Sequence, residues 1–303
     1  MANYIIGVDG GGTKTLGVLY DMTGKKLLSH TVGFTNFNID YDQAKANLIE
    51  LLDYLYRRTP LLTLSYIQLG ISGYSKVTDK KAFEKELSLR YGTTVSLESD
   101  VMIAYYDIKR ESDKNVLVVI GGTGSVIMYS NKNRLEQHGG YGHILGDEGS
   151  AYHLSITALK DVIAVHDETD AFDEFGKYIL EHLSLKTKYD VRDYVYNNDK
   201  SKVARLSEFI KMMAEAKVEK AVAMVQAEAE ALAKQTLQAY AKMKNKENLV
   251  IALRGGFLTK GDIAKKMFVK ELRKNIKDFK VNESEESPVK GAYYLSLSKL
   301  KKR

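Results

Sequence analysis

The chain has 303 residues, yet it contains no cysteine, no tryptophan and only two prolines. Without cysteine there is no disulfide, no thiolate zinc site, no iron–sulfur cluster and no cysteine nucleophile, and this composition fits a reducing compartment. The longest apolar runs, such as Val116–Ile120, are far too short to cross a bilayer. No basic residue precedes the apolar stretch Tyr4–Val8 and Asp9 interrupts it, so we expect no signal peptide. The sequence therefore predicts a cytoplasmic protein without a membrane partner.

The rest of the composition is that of an ordinary folded protein, with 44% hydrophobic and 28% charged residues. The 45 basic and 39 acidic residues give a net charge of +6, and much of the excess lies late, in Lys265–Lys280 and Lys299–Arg303. No module of interleaved aromatic and basic residues accompanies this charge, so a solvated helix face explains it better than nucleic-acid binding. A chain of this length usually divides into two lobes.

The first part of the chain has the pattern of an α/β layer. Apolar runs broken by turn residues predict three strands in succession, Tyr4–Val8, Thr15–Tyr20 and Lys25–Val32. Helices and strands then alternate. The predicted elements are a helix over 42–58, a strand over Tyr66–Ile71, a helix over Lys80–Tyr91, a strand over Thr94–Leu97 and a helix over Val101–Lys109.

At Asn115 the pattern starts again. Val116–Ile120 and Val126–Tyr129 read as strands joined by the glycine-rich turn Gly121–Ser125, in the same arrangement as residues 5–20. Two such units about a domain apart suggest a duplicated lobe. We therefore expect an N-terminal lobe over 1–114, with a C-terminal helix over 288–303 packing back on it, and a second, nucleotide-binding lobe over 115–287.

Most of the second half is predicted to be helical. Helical periodicity covers Tyr152–His166, Thr169–Leu183 and Val203–Lys244, the last of which is too long for one typical helix. Leu249–Leu253 is predicted to be a strand that leads into Arg254-Gly255-Gly256.

The first glycine-rich turn, Asp9-Gly-Gly-Gly-Thr-Lys-Thr15, nearly matches the phosphate loop of nucleotide hydrolases. Thr13 separates Gly12 from Lys14, and the segment that follows is β-branched rather than helical, so neither that loop nor a dinucleotide fingerprint fits. A plain tight hairpin would not need three consecutive glycines. The pattern instead favours a hairpin whose backbone N–H groups and Thr13 and Thr15 hydroxyls hold a polyphosphate.

Several motifs together resemble one family. They are Gly7–Thr15, Asn36, Ser99-Asp100, Gly122-Thr-Gly-Ser125, the pair Gly255-Gly256 and, most specifically, Gly139-Gly-Tyr-Gly-His-Ile-Leu-Gly-Asp-Glu-Gly-Ser-Ala-Tyr152. The chain resembles the N-acetylglucosamine kinase-like branch of the BadF/BadG/BcrA/BcrD ATPase family, in the actin-like, hexokinase and Hsp70 superfamily. The resemblance implies an α/β fold of two ribonuclease H-like lobes with an ATP cleft between them.

The resemblance also implies which residues hold ATP and magnesium. Asp9 would hold Mg²⁺ through water. Gly255 and Gly256 would meet the base and ribose, and Arg254 before them would contact adenine or a phosphate or lie on the surface. The residues expected to cradle the phosphates are Gly10, Gly11, Gly12, Thr13, Lys14, Thr15, Gly122, Thr123 and Gly124.

Asp100 is the candidate catalytic residue. From the sequence alone it is more often a helix N-cap, but the resemblance makes it the acceptor of the proton from the attacking sugar hydroxyl. Glu98 lies two residues away on the same side of the strand, so spacing does not exclude it from this role. The residues expected to contact the sugar are Asn36, Ser72, Gly73, Asp100, Ser125, Gly140, Tyr141, Gly142 and Asp147.

The function expected from this resemblance is ATP-dependent phosphorylation of an amino sugar, N-acetylglucosamine to its 6-phosphate, in recovery of cell-wall material. N-acetylmuramate and glucosamine are the alternative substrates. A cysteine-ligated electron-transfer ATPase is excluded by the lack of cysteine, and a sugar-sensing protein without catalysis is the remaining alternative. The family implies a homodimer. His143 and His153 lack the neighbours that a metal site needs.

Overall fold

The computed structural model describes residues 3–58, 64–110, 114–131, 134–283 and 287–301. Contacts within the chain group it into two compact units, unit 1 with Met1–Lys114 and Glu285–Arg303, and unit 2 with Asn115–Ser284. Ser287 belongs to unit 1 rather than to the predicted 115–287 domain, because its hydroxyl donates a hydrogen bond to Asp9.

Unit 1 contains a five-stranded sheet in the order β3-β2-β1-β4-β5. The pairs β1–β2 and β2–β3 are antiparallel, whereas β4 runs parallel to both β1 and β5. The elements are β1 (Tyr4–Gly10), β2 (Thr15–Asp21), β3 (Lys26–Val32), α1 (Tyr41–Arg57), β4 (Leu64–Ile71), a 3₁₀ turn (Tyr74–Lys76), α2 (Lys80–Tyr91), β5 (Thr94–Glu98), α3 (Asp100–Lys109) and α12 (Lys290–Leu300).

Helices cover both faces of this sheet. On one side α1 packs on β2 and β3 and buries a stripe of apolar residues at helical spacing, Ala44, Leu48, Leu51, Leu52 and Leu55. On the other side α12 packs against β1 and α3. The contact is close: a Cβ added to Gly291 of α12 would lie 1.8 Å from the Ile103 carbonyl oxygen of α3. The C-terminal helix is therefore an integral part of unit 1.

Unit 2 repeats the same topology. Its sheet has the order β10-β9-β6-β7-β8, with β6–β7 and β7–β8 antiparallel and β9 parallel to both β6 and β10. The elements are β6 (Asn115–Gly121), β7 (Ser125–Asn131), β8 (Arg134–His138), α4 (Ala151–Thr169), α5 (Glu174–Leu183), α6 (Lys188–Tyr196), α7 (Lys200–Ala204), α8 (Leu206–Glu215), α9 (Glu219–Lys242), β9 (Leu249–Arg254), α10 (Gly256–Thr259), α11 (Ile263–Arg273) and β10 (Lys280–Glu283).

The matching strand orders confirm the predicted duplication of an α/β lobe. The predicted helical stretch Val203–Lys244 is divided in the structure among α7, α8 and α9, with Lys217 at φ 65° in the break before α9. Sequence patterns missed the short elements β8, α6, α10, α11 and β10. Among the described residues, no helix has both the length and the apolar character that crossing a bilayer requires.

Candidate active site

In unit 1 the parallel strands β1, β4 and β5 end at the same edge of the sheet. The residues at or just beyond these ends include Asp9, Ser72 and Asp100, which are far apart in the sequence. In open α/β sheets this edge is where ligands bind. The topology therefore brings together three of the residues that the sequence predicts for one site.

Asp100 lies in the first turn of α3 and is held by Ser72. The Ser72 hydroxyl donates a hydrogen bond to Asp100 Oδ2, and the Val101 amide donates to Oδ1 at 2.9 Å. The N-cap of α3 is Ser99, whose hydroxyl accepts from the Met102 amide, so Asp100 is not needed for capping. Burial raises the pKa of Asp100, although both hydrogen bonds lower it. A partly buried carboxylate with a raised pKa is a suitable proton acceptor.

Glu98, the other candidate for the proton acceptor, forms ion pairs with two lysines. Lys299 of α12 donates to Glu98 Oε1 at 2.8 Å, and Lys80 lies 3.5 Å from Oε2. These two contacts are ion pairs, so the carboxylate of Glu98 already has cationic partners. The geometry therefore favours Asp100 over Glu98 as the proton acceptor.

Asp9 is the second carboxylate at this edge. The Ser287 hydroxyl donates to Asp9 Oδ2 at 2.5 Å. The pKa of Asp9 is raised to about 6, mainly by burial; the Ser287 hydrogen bond opposes this shift, the nearby charges of Asp100 and Asp107 add to it, and Lys14 lowers it. Carboxylate oxygens are the ligands that Mg²⁺ prefers, and a cation would favour the ionised form of Asp9. The side chain therefore fits the predicted magnesium role.

The first glycine-rich turn joins β1 to β2. The Gly11 amide donates to the Lys14 carbonyl at 3.2 Å and closes the turn, which leaves Gly12, Thr13 and Lys14 exposed. Thr15 is fully buried instead, and its hydroxyl pairs with that of Thr35 at 2.9 Å. In this structure the Thr15 side chain therefore faces the interior rather than the exposed part of the turn.

Asn36 and Gly73 lie together beside this turn. A Cβ added to Gly73, which has φ 71°, would be 2.4 Å from Asn36 Oδ1, and one added to Gly12 would be 3.7 Å from Asn36 Nδ2. Asn36 Oδ1 accepts from the Asn38 amide at 2.9 Å. Glycine is required at position 73 because any larger side chain would collide with Asn36. Asn36 and Gly73, both predicted to contact the sugar, are therefore neighbours.

In unit 2 the second glycine-rich turn joins β6 to β7. The Gly122 amide donates to the Gly124 carbonyl at 2.9 Å, and the Gly122 carbonyl accepts from the Ala151 amide at 2.8 Å. Gly255, at φ 85°, packs directly on this turn, since a Cβ there would lie 2.6 Å from the Gly121 carbonyl oxygen. The two predicted nucleotide motifs of unit 2 are therefore in contact.

A cavity of about 190 Å³ lies beside these motifs, entirely within unit 2. One wall comes from the β6–β7 turn and the residues after β9, and the other comes from α7 and α8. Sequence patterns gave no signal for the residues of α7 and α8 that line it. The lining residues are Gly122, Thr123, Ala151, Ser201, Ala204, Arg205, Ser207, Glu208, Gly256, Phe257 and Lys260.

The glycine-rich loop 139–150 contains the remaining predicted sugar ligands. Gly140 and Gly142 have φ values of 73° and 91°, and Tyr141 between them is 69% exposed. Ser125, in contrast, is only 4% exposed and its hydroxyl donates to the Glu148 carbonyl at 2.8 Å. In this structure the Ser125 hydroxyl therefore binds the backbone of the loop.

Asp147 in the same loop is also buried. It is 4% exposed, with Oδ1 accepting from the Ser125 amide at 3.3 Å and Oδ2 paired with Lys200 Nζ at 2.6 Å. A sugar hydroxyl could bind this carboxylate only after Lys200 leaves it. Lys200 was not found from the sequence, because it lies on a helix far along the chain.

Helix α9 holds the end of this loop through Glu228. This buried carboxylate accepts from the Gly149 amide at 2.6 Å and contacts His153 Nδ1 at 2.6 Å. The hydrogen bond to Glu228 raises the pKa of His153. His153 therefore has a structural partner. Within the described ranges, no three His, Asp or Glu side chains are grouped as a metal site would require.

Arg254 has a structural contact as well. Its guanidinium donates to the carbonyl of Asn282 at 3.3 Å and to the side-chain oxygen of that residue at 3.0 Å, which ties β9 to β10. This contact accounts for an arginine before the glycine pair.

These features are those of a sugar-kinase-like ATPase fold, and comparison with known proteins gives the family. The model of the BadF/BadG/BcrA/BcrD ATPase family matches residues 6–293, so the chain belongs to this family. An N-acetylmuramic acid/N-acetylglucosamine kinase of Clostridium acetobutylicum is 33% identical over 216 residues, 68% of this chain and 69% of that protein. An N-acetyl-D-glucosamine kinase of Dictyostelium discoideum is 29% identical over 205 residues, 63% of this chain and 64% of that protein.

Solved structures show the same fold. A candidate N-acetylglucosamine kinase from Chromobacterium violaceum superposes with a TM-score of 0.72 at 19% identity, covering 97% of this chain and 99% of the other. A ROK family glucokinase from Streptomyces griseus, solved with glucose and AMPPNP, gives 0.57 at 17% identity, with coverage of 97% and 99%. The predicted two-lobed fold of the actin-like ATPases is therefore confirmed.

Proposed function

We propose that this chain is an ATP-dependent kinase that transfers the γ-phosphoryl group to the 6-hydroxyl of N-acetylglucosamine. The observation that carries the proposal is the hydrogen bond from Ser72 to Asp100 at the carboxyl edge of the unit 1 sheet, beside Asp9 and the exposed turn Gly12–Lys14. The names of the curated relatives support an amino sugar as the acceptor.

Asp100 is the residue proposed to accept the proton. As the sugar oxygen forms its bond to the γ-phosphorus, the bond to the β–γ bridging oxygen breaks, ADP leaves and the hydroxyl proton passes to the Asp100 carboxylate. This transfer depends on alignment and neutralisation of charge rather than on covalent catalysis. Ser72 keeps the carboxylate oriented, and the raised pKa makes Asp100 a better proton acceptor than an exposed aspartate.

The remaining parts of the site are assigned by their position. Asp9 would hold Mg²⁺, which when bound neutralises phosphate charge. The backbone N–H groups of the exposed turn Gly12–Lys14 in unit 1 are proposed to bind phosphate oxygens, and those of Thr123 and Gly124 in unit 2 are proposed to do the same. The cavity beside Gly256 is proposed to take the adenosine, and Asn36, Gly73 and the loop around Tyr141 to contact the sugar.

The substrate is tested by measuring ADP release with Mg-ATP on a panel of sugars. The panel contains N-acetylglucosamine, N-acetylmuramate, glucosamine, N-acetylmannosamine and glucose, and NMR of the product locates the phosphate. We expect turnover of N-acetylglucosamine to the 6-phosphate. Faster turnover of N-acetylmuramate or glucosamine would change the assigned substrate. No turnover of any sugar by a protein that binds ATP would identify a sugar-binding protein without catalysis.

Three further properties belong to this proposal. A kinase of this specificity would act in the recovery of cell-wall amino sugars, would work in the cytoplasm and, like others of its family, would form a homodimer. Light scattering of the purified chain measures the oligomeric state, and a monomer at micromolar concentration would contradict the dimer.

A further inference from the structure

Lys211 of α8 is a buried cation that the proposed chemistry does not use. It is 5% exposed and lies on the same buried helix face as Ile210 and Ala214. Burying an ammonium group is costly unless it is hydrogen-bonded, and here burial lowers the pKa of Lys211 while Glu208 and Glu215 raise it. A lysine buried at this cost is therefore expected to make specific hydrogen bonds.

The ammonium group of Lys211 has two hydrogen-bond acceptors. Lys211 Nζ donates to the carbonyl oxygens of Gly256, at 2.9 Å, and Lys260, at 2.5 Å. Both carbonyls belong to the turn of α10, which the Lys260 amide also closes by donating to the Gly256 carbonyl. Lys211 therefore binds both ends of one turn.

That turn and α8 form opposite walls of the unit 2 cavity. Gly256, Phe257 and Lys260 line it on one side, and Ser207 and Glu208 of α8 on the other. Lys211 itself does not line the cavity, but its two hydrogen bonds connect α8 to the turn on the opposite wall. A second link, from Lys260 Nζ to Glu208 at 2.7 Å, is exposed to solvent and for that reason contributes little.

We propose that Lys211 is a positioning residue for nucleotide binding, which fixes the separation of the two cavity walls by tying α8 to the turn after Gly255. The inference rests on the proposed function, because it takes this cavity as the site of the adenosine. Without the ammonium group the Lys260 carbonyl would lose a buried partner, and the turn would relax away from α8 to reach another donor.

The decisive variant is Lys211→Met, which keeps the length of the side chain and removes its charge. Titration calorimetry with ADP and, separately, with N-acetylglucosamine measures the two affinities. We expect the dissociation constant for ADP to rise by about tenfold or more, as loss of a buried charged hydrogen bond implies, with the sugar affinity unchanged. Lys211→Arg, which keeps the charge and the donors, should recover most of the ADP affinity.

The matched control is Lys220→Met in the same unit. Lys220 joins Asp161 and Asp173 at 2.6 and 2.8 Å, and none of these residues lines the cavity. This variant should lower Tm and leave ADP binding unchanged. If Lys211→Met does not fold, Lys211→Gln, which keeps one donor, is measured in the same way.

The outcomes separate the two claims. ADP binding of Lys211→Met or Lys211→Gln equal to wild type, with only Tm lowered, would overturn the positioning role and leave the proposed function intact. Equal losses of ADP and sugar affinity would also overturn it, because they indicate general damage to the fold. A wild-type protein that binds no ADP would overturn the proposed function itself.

Discussion

Lys200 Nζ lies 2.6 Å from Asp147 Oδ2, and the carboxylate of this pair is almost completely buried. Asp147 also has φ 70°, a conformation that is uncommon for residues other than glycine. Removing a cation from a buried carboxylate leaves its charge uncompensated, which costs more than the pair itself contributes. The ion pair therefore holds the glycine-rich loop in the observed conformation.

A double-mutant cycle tests this relationship. Lys200→Met should lower the free energy of unfolding by about 2 kcal/mol, a value below that of fully buried pairs because the lysine is partly exposed. Asp147→Asn combined with Lys200→Met should be less destabilised than Lys200→Met alone, since no charge is then left uncompensated. Urea unfolding measures Lys200→Met, Asp147→Asn, the double variant and wild type. Simple additivity of the two changes would contradict the coupling.

Asp100→Asn tests the proton acceptor. The amide can still accept from Ser72 but cannot take a proton from the sugar, so kcat should fall by about 10²–10⁴-fold. Binding of ADP should stay as in wild type, because Asp100 is proposed to contact the sugar and not the nucleotide. Glu98→Gln is the matched control, with at most a small change in kcat. Full activity of Asp100→Asn would place the proton acceptor elsewhere.

The raised pKa values predict how activity depends on pH. Asp100 must be ionised to accept a proton, and burial raises its pKa above that of an exposed aspartate. Asp9, with a pKa of about 6, must be ionised to hold a cation. Protonation on lowering the pH therefore removes both functions, and kcat/KM for the sugar should decline as the pH falls through about 6. A rate profile that stays flat down to pH 4.5 would contradict these shifts.

Gly255→Ala tests the contact between the two nucleotide motifs. At φ 85° a side chain is strained, and its Cβ would also meet the Gly121 backbone at 2.6 Å. We expect a loss of about 3 kcal/mol or more in unfolding free energy together with weaker ADP binding. Gly92→Ala is the control for the backbone angle alone, because Gly92 has φ 62° and nothing within 4 Å of its Cβ position. It should cost about 1 kcal/mol. Equal losses in the two variants would show that the contact with Gly121 is unimportant.

The bond between Glu228 and His153 predicts a pH-dependent contribution to stability. Its hydrogen bond raises the pKa of His153 in the folded protein above the ordinary value of 6.5. This contribution is fully present below the pKa of the unfolded chain and disappears as the pH rises through the folded pKa. The difference in unfolding free energy between wild type and Glu228→Gln should therefore be larger at pH 5.5 than at pH 8.5. A difference that does not vary with pH would show that His153 stays neutral.

The sequence predicted the parts of the fold that depend on local signals. The strand–turn–strand units that begin at Tyr4 and Asn115 combine short apolar runs with glycine, and both signals lie within about twenty residues. The start of α3 was predicted to within one residue, since the N-cap is Ser99 and the sequence suggested Asp100. Asp9, Ser72 and Asp100 lie at one sheet edge because parallel strands end together.

The sequence could not predict the contacts that depend on packing between distant segments. Asp147 pairs with Lys200 across 53 residues, and Gly149 binds Glu228 across 79. No pattern marks such a lysine or glutamate among the many on the same helices. The inward orientation of Thr15 and Ser125 was unpredictable for a related reason, since a hydroxyl next to a glycine turn can face the core as readily as a ligand.

The return of the chain to unit 1 has a consequence for the order of folding during synthesis. Unit 2 is one continuous segment, whereas unit 1 needs both Met1–Lys114 and Glu285–Arg303. Ser287 and α12 leave the ribosome after unit 2, so unit 2 can form its core before the sheet of unit 1 gains this helix. The carboxylate proposed to hold magnesium, Asp9, gains its Ser287 hydrogen bond only after all of unit 2 has been made.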